Sequence, residues 1–125
     1  MDLLNIKPDT QKVEINHPGT GRPTGFIIEV TSAESDAVKR VQRRHMDKAL
    51  KSRGKKMSAA DIEANLIEKT AAAVVGWEWK NGASWGGKKL DCTPENVATV
   101  LETGWVRSQV EEVIGDEAAF FSGAE

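Results

Sequence analysis

One cysteine (Cys92), no tyrosine and two histidines (His17 and His45) leave this 125-residue chain short of the residues that commonly carry chemistry. A lone thiol closes no internal disulfide, and two histidines with one cysteine offer no ligand spacing for zinc or an iron–sulfur cluster. No apolar run approaches the roughly 18 to 20 residues of a membrane span. The opening MDLLNIKPDT also lacks the basic-then-apolar order of a signal peptide. The expectation is a soluble, cytosolic protein with no membrane partner, metal or cofactor. With 39% hydrophobic and 29% charged residues, the chain has material for one domain with a core and too little for two.

The net charge of −2 hides a segregation. Residues 1–36 sum to −3, residues 37–57 to +8 and residues 58–125 to −7. A cationic block inside an acidic molecule serves a solvated helix face, an acidic protein partner or a nucleic acid. Nucleic acid is the weakest of the three readings. Aromatic residues do not interleave the bases, no recognition-helix pattern is present, and the acidic C-terminal half repels a polyanion.

QKVEIN at 11–16 and FIIEVT at 26–31 read as strands, and HPGTGRPTG between them as a long turn, which predicts a β-hairpin. Thr31 with Glu34, or Ser35 with Asp36 one turn on, opens a helix over about 33–52, its apolar stripe running through Val38, Val41, His45, Ala49 and Leu50 until Gly54. Ser58 with Asp61 caps a second helix through Ile62, Leu66, Thr70, Ala73 and Val74, closed by Gly76. The stretch 76–92 holds Trp77, Trp79 and Trp85 among four glycines and reads as a folded loop over a helix pair. Thr93 caps a short helix with Pro94 at its first position and Glu95 on its dipole, Val97, Val100 and Leu101 facing inward and Gly104 ending it. Trp105, Val106, Gln109, Val110, Val113 and Ile114 form a last amphipathic helix stopped by Gly115.

The predicted fold is thus mainly α, about four helices with a small N-terminal β-hairpin, in a single domain over 1–125. Its parts are an N-terminal extension with the hairpin over 1–31, a helical core over 32–115 and a short tail over 116–125, which carries Phe120 and Phe121.

Enzymatic constellations are weak. Gly82, Gly87 and Lys88 fit phosphate-loop spacing, but Lys89 stands where a serine or threonine hydroxyl belongs, and Pro94 follows too soon for a phosphate-binding helix. Cys92 precedes a helix start, where a dipole lowers a thiol pKa, yet no positioned base or oxyanion donor accompanies it. Asp91 with Glu95 and Glu111 with Glu112 read as solvated surface. No catalytic residue is assigned.

Two stretches carry a resemblance. HPGTGRPTGFIIEVTSAES is a Pro- and Gly-rich turn, an aromatic-aliphatic strand and a serine-capped basic helix. AAAVVGWEWKNG is followed by LDCTPENVATVLETGWVRSQVEEVIGDEAAFF, with a Gly-Trp step, a Thr93-Pro94-Glu95-Asn96 helix start, the Gln109-Val110 pair and the closing Asp116 and phenylalanines. Over about residues 13–121 this order resembles the tail assembly chaperones of long-tailed bacteriophages and prophages. Cys92 and the paired Trp77 and Trp79 depart from that pattern.

The resemblance implies a non-enzymatic factor that binds the tape measure protein, with the tail tube protein as a further client, and holds them soluble until the tube polymerises. It implies residence in the cytoplasm of the bacterial host and absence from the mature virion. Self-association stays open. A client with a long helical apolar stripe is covered when a small helical protein lays its own apolar seam alongside. On this reading Arg40, Arg43, Arg44 and Lys48 meet acidic client segments. Trp77, Trp79 and Trp85 either anchor the contact or, the favoured alternative, close the core. Two other classes compete: a small phage nucleic-acid-binding or regulatory protein, and a structural tail or neck component of the virion.

Overall fold

The computed structural model describes residues 2–6, 8–52 and 55–121. Its strands are β1 (Gln11–Asn16), β2 (Pro23–Val30) and β3 (Val74–Trp79), and its helices α1 (Asp36–Lys51), α2 (Ala59–Ala73), α3 (Pro94–Leu101) and α4 (Gly104–Gly115). Short 3-10 helices occupy Leu3–Asn5 and Glu117–Phe121. The strands form one antiparallel sheet in the order β1-β2-β3.

This corrects the mainly helical expectation: the chain is α+β, with a three-stranded sheet in place of a small hairpin. The overlooked strand is β3. Its residues lie where periodicity carries the helix stripe on to Val74 and where the glycines around the tryptophans predict a loop. Val74 leaves the helix with φ −78° and ψ 122°, so α2 passes directly into β3. Trp77 and Trp79 then alternate with Glu78 at the period of a strand, and both half-buried indoles pack against the core. Gly76 lies within the strand rather than closing the helix. Val75 is the extra residue of a bulge, since Glu29 pairs with Gly76 and Val30 with Val74.

The inner face of the sheet is hydrophobic and the outer face charged. Val13 and Ile15 of β1 and Phe26, Ile28 and Val30 of β2 are buried, while Lys12, Glu14 and Glu29 lie between them in sequence on the alternate face. Val97, Val100 and Leu101 of α3, Val106 and Val110 of α4, and Phe120 complete the core. Side-chain amide bonds fasten α4 to the end of β1: Asn16 N–H donates to Gln109 Oε1 at 2.7 Å, and Gln109 Nε2 donates to the Asn16 carbonyl at 2.9 Å.

Helix starts follow local chemistry. α1 begins one turn later than residue 33, because Ser35 is the N-cap and its Oγ accepts from Val38 N–H. Ser58 and Asp61 form a complete capping box on α2. Thr93 caps α3 with Pro94 behind it. Gly104 opens α4 instead of ending α3, which stops at Leu101. The break assigned to Gly54 lies outside the described residues.

One glycine is fixed by close approach. Gly25 has φ +91°, and a Cβ there would sit 2.1 Å from the Lys80 carbonyl oxygen. Lys80 N–H donates to the Gly25 carbonyl at 2.7 Å. The chain leaving β3 is thereby clamped onto the start of β2.

Candidate interaction surface

α1 and α2 form an antiparallel pair whose register is set by one carboxylate. Glu68 Oε1 meets the Arg44 guanidinium and lies 2.9 Å from His45 Nε2. The Arg44 hydrogen bond holds the Glu68 carboxyl below its ordinary range against the opposing effect of burial, and His45 adds to the lowering.

Beyond that bridge the pair stops burying its apolar residues. Leu50 is 71% exposed, Met46 65%, Ile62 56% and Leu66 38%. Leu50, Ile62 and Leu66 belong to stripes expected to face inward, and here the structure corrects the sequence. Helical periodicity turns them to one stripe, but the body against which α2 buries Thr70 and Ala73 meets the start of α2 at Glu63, through Arg107 at 3.7 Å, and leaves Ile62 and Leu66 exposed. The sequence signal was the narrowness of the α1 stripe, in which only Val38 is buried.

The predicted partner-binding residues divide into separate places. Arg40, Arg43 and Lys48 are exposed on α1, and among the described residues none of the three makes a salt bridge. Arg44 is committed to Glu68. The tryptophans are elsewhere. Trp79 stacks on Phe26 with centroids 3.8 Å apart and planes at 4°, and Trp77 meets the same ring edge-on at 5.3 Å. Both indoles donate Nε1–H to one acceptor, the Leu90 carbonyl, at 2.8 and 2.9 Å. Their polar edges therefore tie the 80–93 loop to the sheet. Trp85 packs against the core cluster and opens a tight turn closed on Lys88, with Gly86 and Gly87 at positive φ. The basic helix and the tryptophans thus do not form one site.

The weaker sequence motifs resolve into structure. Gly82, Gly87 and Lys88 belong to successive turns, and the next helix in the chain starts only at Pro94, so the loop does not run into a helix N-terminus as a phosphate loop does. Burial pushes the Cys92 thiol up, opposite to an activated thiolate. His17 Nδ1 accepts from the Gly19 and Thr20 amides in the β1–β2 turn, and His45 is held on Glu68. Neither histidine is bonded to Cys92. Among the described residues no group of three or more His, Cys, Asp and Glu side chains is placed to hold a metal ion, and no helix is long and apolar enough to cross a membrane.

On the opposite side of the helix pair lies a groove of about 680 Å³, walled by Val41, Ala64, Ile67, Ala71, Val75 and Val97. No protein-family model, curated protein or solved structure matches this chain.

Proposed function

We propose that this protein is a non-catalytic assembly factor of the tail assembly chaperone type. It binds the tape measure protein of a long-tailed bacteriophage or prophage, and tail tube subunits, keeping them soluble in the host cytoplasm until the tube assembles.

The observation that carries this reading is the uncovered apolar end of the α1–α2 pair. Met46, Leu50, Ile62 and Leu66 stay in water, although the same chain buries Ile28, Val30, Val100 and Val110 completely or almost so. Contiguous exposed apolar side chains rimmed by charge mark a protein-binding surface. Methionine and leucine suit a client that presents varied apolar residues, since their unbranched or γ-branched chains adapt to different neighbours. A helical client would lay its stripe beside α1 and α2, exchanging two wet apolar surfaces for one dry contact.

The test is coexpression of the chain with a tape measure protein of a long-tailed phage, followed by the soluble fraction and size-exclusion chromatography. The expected result is a soluble complex where the client alone precipitates. An unchanged soluble fraction overturns the proposal. Recovery of the chain as a stoichiometric part of purified virions would favour the structural-component reading. Tight duplex-DNA binding with a steep salt slope would favour the regulatory one, for which the unpaired Arg40, Arg43 and Lys48 are the relevant groups.

A further inference from the structure

Two rows of side chains run along the flank of the α1–α2 pair turned away from the groove. On α1 the row is Lys39, Arg43, Met46 and Leu50; on α2 it is Ile62, Leu66 and Lys69, ending at Ala73, which the body buries. Both rows step by four, three and four residues, which at 3.6 residues per turn keeps each on one stripe. Val41 on α1 and Ala64, Ile67 and Ala71 on α2 face the groove and mark the other side.

The bridge from Arg44 and His45 to Glu68 fixes how the antiparallel rows match. Counting outward from it, Leu50 falls opposite Ile62, Met46 opposite Leu66, Arg43 opposite Lys69, and Lys39 opposite Ala73. The flank is therefore layered. Two apolar layers at the tip give way to a layer of two cations, about 10 Å along the axis from Leu50 to Arg43 at 1.5 Å per residue. Lys39 in the next layer is held by Glu34 at 2.9 Å. Among the described residues Arg43 and Lys69 make no salt bridge, nor does Arg40 beside them.

We propose that this flank binds an acidic amphipathic helix in a fixed direction. The partner helix carries two turns of large apolar residues, which lie against Leu50, Ile62, Met46 and Leu66. The next turn of the same face carries carboxylates, which meet Arg43 and Lys69. The proposal rests on the client-binding function above and names the segment of the client that is read. Charge selects this occupant. A second copy seated flank to flank about a two-fold axis either brings like cations together or leaves them unmatched, whereas glutamates supply each one with an acceptor. A purely apolar stripe would fill the tip and leave the cationic layer unused.

The experiment uses the full chain and two fluorescein-labelled, alanine-based helical peptides. They share the two leucine-bearing turns and differ only in the next turn, glutamate in one and lysine in the other. Fluorescence anisotropy at low salt should show the glutamate peptide binding about tenfold more tightly, since two cations change from attraction to repulsion. R43E with K69E should reverse that preference, and L50A with I62A should weaken both peptides. Circular dichroism confirms that each variant is folded. Equal affinity of the wild type for the two peptides overturns the proposal without needing any variant. So does displacement of the glutamate peptide by duplex DNA, or a wild-type dimer that L50A with I62A abolishes. If the wild type solubilises the tape measure protein and R43E with K69E does so equally well, only this inference fails; if the wild type does not solubilise it, the function itself fails.

Discussion

Replacing Ile28 and Leu50 separately by alanine separates core from partner surface, because the two aliphatic residues have similar volume and opposite environments. Ile28 is 0% exposed at the centre of β2, in the core cluster it shares with residues of α3 and α4, whereas Leu50 is 71% exposed at the tip of α1. Ile28→Ala removes buried methylenes and leaves a cavity, costing about 3–4 kcal/mol. Full burial of a leucine side chain stabilises by about 2 kcal/mol, so the small buried share of Leu50 limits Leu50→Ala to about 0.6 kcal/mol. The higher helix propensity of alanine offsets about 0.2 kcal/mol of that. At about 3–5 °C per kcal/mol for a domain of this size, Ile28→Ala lowers Tm by about 9–20 °C and Leu50→Ala by about 2 °C or less. Thermal unfolding followed by far-UV circular dichroism reads both. A Tm loss for Leu50→Ala of half that for Ile28→Ala would place Leu50 in the core and refute the reasoning behind the client surface.

Other expectations follow from single contacts. Gly25→Ala forces a Cβ against the Lys80 carbonyl and should cost at least about 2 kcal/mol, while Gly21→Ala, at positive φ in open space, should cost about 1 kcal/mol in urea unfolding; equal costs would remove the close approach as the cause. Trp77→Phe and Trp79→Phe each leave the Leu90 carbonyl one donor, so the double variant, which leaves none, should lose about 1 kcal/mol more than the sum of the singles; strict additivity would contradict a shared acceptor. Glu68 has its folded-state pKa lowered by Arg44, so its contribution is present above the ordinary value of 4.5 and lost as pH falls through the lower folded value. Glu68→Gln should therefore cost about half a kcal/mol at pH 7, screened by solvent. The deficit should shrink at acid pH, and one that grows there would reverse the sign.

Local chemistry made much of this fold legible in sequence. The capping box at Ser58, the Thr93-Pro94 start, the β1–β2 turn and the inward Val97, Val100 and Leu101 depend on neighbours within a few residues, and each occurs where residue types require it. β3 did not yield to that reading. Its alternation spans only Val74–Trp79, directly after a helix with no punctuating residue, and its partner β2 lies more than forty positions earlier. Hairpin pairing is short-range information, whereas the β2–β3 pairing is not.

The same division holds for the surface. The order of charges along the chain established a cationic block in an acidic molecule, and periodicity alone placed Leu50, Ile62 and Leu66 on helices. Periodicity says which residues share a stripe, but not how far the body beneath that stripe extends. Only the tertiary structure decides that α2 is buried at Thr70 and Ala73 and bare at Ile62, that Glu68 sets the register of the pair, and that the tryptophan edges turn inward to Leu90. The physical reason is that burial is a property of what arrives from elsewhere in the chain, and at the tip the Arg107 side chain reaches Glu63 while Leu50 and Ile62 stay exposed.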